Sequence, residues 1–418
     1  MVTCQLRHCL NSQGSTFFAS TARQRHNGVS FGIAHGPVAL QRSWKLATNS
    51  KPTGYKTPST FVFLIWRSKH FLFTMSHQDR KPTPQNVTLL QGFEWNVPAD
   101  RNHYKRLTAQ LPQLTKIGIS NIWLPPGCKA SSNEGNGYDI YDLYDLGEFE
   151  QKGTRSTKWG SKEDLLELSK KGKELGVGLY WDAVLNHKAG ADKTERCKVV
   201  EVDENDRTKD ITEPYEIEAW VGFDFPGREE KYSKMKWHWY HFSGTDWNEE
   251  NKKKAIYRIV GENKGWSSSV DKEQGNADYM MFADIDYHHP EVCKDTMHWG
   301  PWIVDEIGLK GFRLDAVQHF SENFTSGWVD NLRKECGDDI FIVGEFWVGD
   351  VQKMTEWLGK MGKKFSLFDA PLLNNFHNIS KTEQADLRKL FDNSLVQVEP
   401  VNAVVSPHRI ESFVQIDH

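Results

Sequence analysis

Gly311-Phe312-Arg313-Leu314-Asp315-Ala316-Val317-Gln318-His319-Phe320 is the stretch whose reading decides the fold. It opens as an apolar run suited to a buried parallel strand, the kind that helices cover on both faces. Arg313 and Asp315 then lie two residues apart, and along a strand that spacing puts both side chains on one face. A cation on an enclosed face favours the ionised form of its neighbouring carboxyl. An ionised carboxylate held at the end of a barrel strand can act as a nucleophile. Taken alone, an Arg-x-Asp pair is more often a buried structural ion pair, so the flanking chain has to decide.

Working outward from this stretch, the chain alternates strand-like and helix-like segments from residue 85 onward. Strands are expected at 87–95, 119–124, 177–185, 311–317, 340–347 and 365–372, with a seventh beginning over 397–405. Helices are expected at 103–118, 162–176, 291–308, 328–336, 352–361 and 382–391. Repeated β-then-α units imply parallel strands joined by right-handed crossovers. No G-x-G-x-x-G run follows any strand, so a dinucleotide-binding fold has no support. The segment 188–287 is polar, with an aromatic cluster at Lys236-Trp237-His238-Trp239-Tyr240-His241-Phe242, and is far too long for an ordinary loop. The expected fold is therefore α/β, a TIM (β/α)8-type barrel that is incomplete (strands 1–6 and part of 7), with a long inserted subdomain after strand 3. The barrel would occupy 85–187 and 288–405, the insertion 188–287, and 406–418 would form a tail outside the pattern.

Composition narrows the function. Sixteen Trp and an aromatic share of 12% suit either a sugar-binding cleft or a large core, and the core is the safer reading residue by residue. The net charge of −4 hides an asymmetry: residues 1–78 hold nine Lys/Arg and no Asp/Glu, which leaves 43 basic against 56 acidic residues beyond them. An acidic body argues against nucleic acid as the partner. The six cysteines (Cys4, Cys9, Cys128, Cys197, Cys293 and Cys336) form no C-x-x-C pair, so free thiols in a reducing compartment are expected. No apolar run reaches the ~18 residues of a membrane span, and no membrane partner is expected. Residues 1–84 stand apart from the rest of the chain. The acid-free part, 1–74, lacks clear periodicity and reads as a transit-like leader, an extension ahead of a start at Met75, or a disordered arm. With no secretory signal in view, a cytoplasmic location is expected, with mitochondrial targeting by 1–74 as the alternative.

Chemistry in a barrel sits at the C-terminal ends of its strands. The third strand ends in Asp182-Ala183-Val184-Leu185-Asn186-His187, the fourth in Arg313 to His319, and the fifth in Gly344-Glu345-Phe346-Trp347. Carboxylates and imidazoles from separate strands thus converge on one mouth, which turns Asp315 from a structural residue into a catalytic candidate. Glu345 has apolar neighbours in Val343, Phe346 and Trp347, and burial against them raises a carboxyl's pKa as a general acid requires. An ionised Asp with such a Glu is the basic kit for cleaving a glycosidic bond, and a carboxyl separation of ~5–5.5 Å would retain anomeric configuration. Asn276-Ala277-Asp278 and Asp284-Ile285-Asp286, with Asn186 at a strand end, make an oxygen-rich set suited to Ca²⁺ rather than zinc. A lone D-x-D is more often a solvated turn; here a cation could pin the insertion to the barrel.

With these motifs in hand, the chain resembles the α-amylases of the large α-glucan-active glycoside hydrolase family, of the liquefying bacterial and intracellular fungal type. The resemblance rests on Gln91-Gly92-Phe93-Glu94-Trp95, Phe225-Pro226-Gly227-Arg228 and the stretches 137–149, 182–188, 237–242, 283–287, 311–319 and 344–347. It implies endo-acting, retaining cleavage of α-1,4-glucan such as starch, glycogen or maltooligosaccharide, by a monomer. It implies Asp315 as nucleophile and Glu345 as acid/base, with Arg313, His187 and His319 at the substrate and Tyr138 as a stacking platform. It implies Ca²⁺ held by Asn186, Asp278, Asp284 and the main-chain carbonyl of His319.

Three departures from the family pattern carry expectations of their own. Gln318 stands where the family has Lys, a residue that contacts sugar on the leaving-group side, so Gln318 is a substrate-binding position with altered character. An α-glucan transglycosylase is the alternative this raises. Ser243, Ser267 and His288 stand where liquefying bacterial enzymes place acids for extra ions, so one calcium is expected. After Val401-Asn402-Ala403-Val404-Val405 the chain continues Ser406-Pro407-His408-Arg409 in place of the family's Asn-His-Asp, whose Asp grips substrate hydroxyls, so crippled activity is expected of this chain, with a non-catalytic glucan- and calcium-binding remnant as the further alternative.

Overall fold

The computed structural model describes Val2–Gln5 and residues 87–406. Its main sheet has eight strands in the order Val2–Gln5, Thr88–Gln91, Asn121–Trp123, Gly178–Ala183, Gly311–Leu314, Phe341–Gly344, Ser366–Phe368 and Ala403–Val404. Every neighbouring pair runs parallel. Seven of these strands are the expected ones in the expected order. The remaining strand lies within the stretch 1–84, outside the expected barrel, and it pairs with the Thr88–Gln91 strand from Val2↔Thr88 to Gln5↔Gln91. The other expectations for 1–84, and those for the tail after Ser406, lie outside the described residues.

Local chemistry explains where the helices begin and end. Lys162–Leu175 starts on a capping box in which the Ser161 hydroxyl accepts from Asp164 N and the Asp164 carboxylate accepts from Ser161 N. It stops at Gly176, whose φ of 70° is the left-handed conformation that glycine adopts without penalty. Pro290–Ile307 takes Pro290 in its first turn, where the missing N–H costs nothing. Gly300 on this helix closes on the Trp328 ring, which a β-carbon there would meet at 2.8 Å.

Several boundaries differ from expectation, and the strands expected at 87–95, 311–317 and 340–347 each end early, at Gln91, Leu314 and Gly344. The helix expected at 328–336 runs over Glu322–Cys336, because Ser321 caps it by accepting from Phe324 N. The strand expected to reach 372 stops at Phe368, because Asp369 caps a new helix, Ala370–Ser380. Asp369 also accepts from Leu395 N and Val396 N, so one carboxylate starts two helices. The helix expected at 382–391 is absent: the stretch holds only the short 3₁₀ turn Leu387–Lys389, and its apolar Leu387 and Phe391 are exposed. The 397–405 strand shrinks to Ala403–Val404 behind the Leu395–Val398 helix.

The insertion is a subdomain built on a six-stranded antiparallel sheet, in the order His187–Lys188, Ala283–Ile285, Phe242–Asn248, Lys253–Ile259, Lys193–Glu201 and Tyr215–Gly222. Its first and last strands in chain order, His187–Lys188 and Ala283–Ile285, pair with each other, and Ile285 N donates to Asn186 O. Both ends of the insertion therefore return to the mouth of the third barrel strand. The aromatic richness serves the core, with Trp123, Trp159, Trp181, Trp237, Trp299 and Trp328 all fully buried.

Candidate active site

Register brings the site together. Arg313 lies opposite Asp182 on one side and Val343 on the other, and Leu314 lies opposite Gly344. Just past the strand ends, Asp315 N donates to Ala183 O and Glu345 N donates to Leu314 O. Asp315 and Glu345 thus lie level with each other just past the strand ends, two residues beyond the level of Asp182 and Arg313. The Arg313 guanidinium sits among the three carboxyls, 2% exposed. Its Nη1 donates to Asp182 Oδ1 at 2.7 Å and to Asp315 Oδ1 at 2.5 Å, and its Nη2 donates to Glu345 Oε2. Ala316, at a φ of +47°, turns the chain directly after Asp315 and lets Val317 N donate to Glu345 O.

The electrostatics separate the carboxyls. Burial pushes Glu345 up to about 7 against the opposing pull of Arg313. Burial likewise raises Asp182 to about 6, again with Arg313 opposing. Burial works against the charge on Arg313, but Asp182, Glu345 and Asp315 more than offset it and hold the guanidinium protonated. Glu345 Oε1 is buried and has no hydrogen-bond partner among the described residues.

Asp182 is the site residue that sequence reasoning left without a role. Its Oδ2 accepts from Tyr138 Oη at 2.8 Å and from Trp123 Nε1 at 3.0 Å, so it holds Arg313 and Tyr138 at once. The available signal was its position at a strand end, level with Arg313. Tyr138 stacks on Trp95 with ring centroids 5.9 Å apart and 15° between planes. His187 is buried and donates from Nε2 to Tyr138 O at 2.7 Å, so it fixes the main chain of the platform residue. His319 donates from Nδ1 to Ala277 O at 2.6 Å, which joins the turn after Asp315 to the segment carrying Asp278. Gln318 accepts at Oε1 from Trp347 N at 2.9 Å.

Asn186, Asp278 and Asp284 come together beside this turn. All three are buried, and Asn186 Nδ2 donates to Asp284 Oδ1 at 3.3 Å. Burial and the nearby carboxylates raise Asp278 to about 7 and Asp284 well above its ordinary value. Asn186 Oδ1 has no hydrogen-bond partner, and no Lys or Arg side chain pairs with either Asp among the described residues. Ser243 donates to Asp284 and Ser267 N to Asp278 Oδ2, so the residues that replace acids still serve this cluster. Asp286 is taken by the buried Lys264 ammonium at 2.6 Å. His241, His289 and Glu291 form a second group close enough to hold an ion. There, however, His241 Nδ1 accepts from His238 N, which leaves its Nε2 protonated and donating to Glu291.

A parallel α/β sheet whose strand ends gather two catalytic-type carboxyls on one arginine defines a barrel enzyme. Its family is that of the α-amylase catalytic domain, whose model matches residues 102–405, and the chain belongs to it. The chain is 42% identical over 353 residues to the glucan 1,4-alpha-maltohexaosidase of Bacillus sp. (strain 707), covering 82% of this chain and 68% of that protein. It is 44% identical over 334 residues to the alpha-amylase of Bacillus licheniformis, covering 80% of this chain and 65% of that one. It is 37% identical over 324 residues to the cytoplasmic alpha-amylase of Escherichia coli (strain K12), covering 77% and 66% respectively. The matched stretch thus spans about two thirds of these relatives. No helix among the described residues is long and apolar enough to cross a membrane.

Proposed function

We propose that this chain is a retaining, endo-acting hydrolase of α-1,4-glucan, with Asp315 as nucleophile and Glu345 as acid/base. The observation that carries the reading is the shared guanidinium: Arg313 binds Asp315 and Glu345 Oε2 together, while Glu345 Oε1 is left buried and unpaired. Two carboxyls tied to one fork favour the closer spacing of retaining enzymes. Burial raises Glu345 to about 7, so a large share of it carries a proton at neutral pH, to give to the glycosidic oxygen as the bond to the anomeric carbon breaks. Asp315 takes that carbon to form a covalent glycosyl ester. Glu345, now ionised, then removes a proton from water, whose oxygen displaces Asp315. Arg313 holds both groups, and Tyr138, itself held by Asp182 and His187, offers a ring face to the sugar.

Asn186, Asp278, Asp284 and the carbonyl of His319 would hold Ca²⁺. The unpaired Asn186 Oδ1 and two buried carboxyls without a cationic partner fit a hard cation. Calcium would neutralise that pair and tie the insertion to the barrel, and it takes no step in the reaction. A cytoplasmic site of action accords with the free thiols of Cys128, Cys197, Cys293 and Cys336 among the described residues. The test is incubation of the purified full chain with soluble starch and calcium. Release of maltooligosaccharides, α-anomer first, is expected; release no greater than that of Glu345→Gln overturns the reading.

A further inference from the structure

We propose that Gln318 is a positioning residue for the acid/base Glu345, acting through the main chain of Trp347; this rests on the proposed hydrolase reading. Sheet pairing of the fifth barrel strand ends at Gly344, and Glu345 lies just beyond it. Besides the Arg313 fork on Glu345 Oε2, three bonds fasten the segment 345–347 to the segment carrying Asp315. Two are main-chain bonds, Glu345 N to Leu314 O at 2.9 Å and Val317 N to Glu345 O at 3.1 Å. The third comes from a side chain: Gln318 Oε1 accepts from Trp347 N at 2.9 Å.

Gln318 is itself held in place. Ala316 turns in the left-handed region, His319 N closes that turn on Ala316 O, and Asp271 N donates to Gln318 O. Arg313 holds Glu345 Oε2 while Oε1 has no hydrogen bond of its own, so the aim of the carboxyl depends on that fork together with the main chain that carries it. The lysine that the family pattern places here has three donors and no acceptor, and so cannot receive the Trp347 N–H. A glutamine can, and the bond links the segments carrying Asp315 and Glu345.

Two substitutions test this. Gln318→Met keeps the length and removes the strong acceptor, whereas Gln318→Glu keeps an acceptor. The readouts are hydrogen exchange at the Trp347 amide, and kcat/KM on maltopentaose and on α-maltosyl fluoride, whose leaving group needs no proton. Gln318→Met is expected to speed Trp347 exchange about tenfold and to lower kcat/KM on maltopentaose about tenfold. It should leave kcat/KM on the fluoride within about twofold, because formation of the glycosyl ester then needs no acid. Gln318→Glu should restore the amide protection. Unchanged exchange in Gln318→Met, or equal losses on the two substrates, overturns the proposal. If the parent chain turns over neither substrate, the hydrolase reading fails, and the exchange at Trp347 still decides whether Gln318 holds that segment.

Discussion

Arg313 and Asp182 face each other across adjacent parallel strands, joined by a 2.7 Å hydrogen bond from Nη1 to Oδ1. The pair is buried, and the second oxygen of Asp182 is bonded to Tyr138 and Trp123. Asp182 therefore anchors the guanidinium that holds Asp315 and Glu345, the two proposed catalytic carboxyls. Removing one partner of a buried pair leaves an uncompensated charge, at a cost of about 3–5 kcal/mol. Asp182→Ala is expected to lose stability of that order in urea unfolding with calcium present. Asp182→Asn, which keeps the shape and an acceptor, should lose less.

Arg313→Lys removes the fork rather than the charge. An ammonium cannot span Asp182, Asp315 and Glu345 in one plane as the guanidinium does. Starch hydrolysis is expected to fall at least ~100-fold, the scale of a misplaced catalytic group. Activity within a few-fold of the parent would show that the bridging geometry is dispensable.

The raised Glu345 has consequences for pH. Its carboxyl titrates at about 7 in the folded chain, against 4.5 ordinarily. Between those values the folded state holds a proton that the unfolded state has lost, so this group's contribution to stability declines as pH rises through the window. Glu345→Gln should accordingly show a flatter thermal-unfolding profile from pH 4.5 to 8, and be the more stable form at pH 8. In the parent, kcat/KM should fall above about pH 7 as the acid deprotonates.

Calcium affinity should depend on pH in the opposite sense. Asp278 is protonated below about 7 in the metal-free chain, and burial beside Asp278 and Asp286 also raises Asp284 well above its ordinary value. Binding must displace those protons, so affinity should weaken by about tenfold per proton for each pH unit of acidification. Calorimetry at pH 8 and pH 6 would show this, and Asp284→Asn should reduce both the affinity and its pH dependence. Equal affinities at the two pH values would place the ion elsewhere.

Much of this arrangement was legible in the chain because it depends on local pattern plus one topological rule. Apolar runs marked seven strands, and the rule that strand ends share a mouth put Asp315 and Glu345 together. Asp182 escaped because its role depends on register between strands far apart in sequence, where it meets Arg313. The same holds for Ser243 on Asp284 and for Lys264 on Asp286, both contacts across the insertion. The helix expected at 382–391 failed for a different reason. Its apolar spacing has no core to face, and the Asp369 cap had already committed Ala370–Ser380 to the helix. Gln318 is expected at the sugar only from the family pattern; its bond to Trp347 joins two loops that only the folded sheet brings together.

The covalent step is the centre of the proposed reaction, and trapping it is the most direct test. The full chain, treated with a 5-fluoro-α-glucosyl fluoride and digested for mass spectrometry, should carry one glycosyl adduct on the peptide containing Asp315, and Asp315→Asn should abolish it. An adduct on another carboxylate, or turnover that releases the β-anomer first, would contradict the assignment.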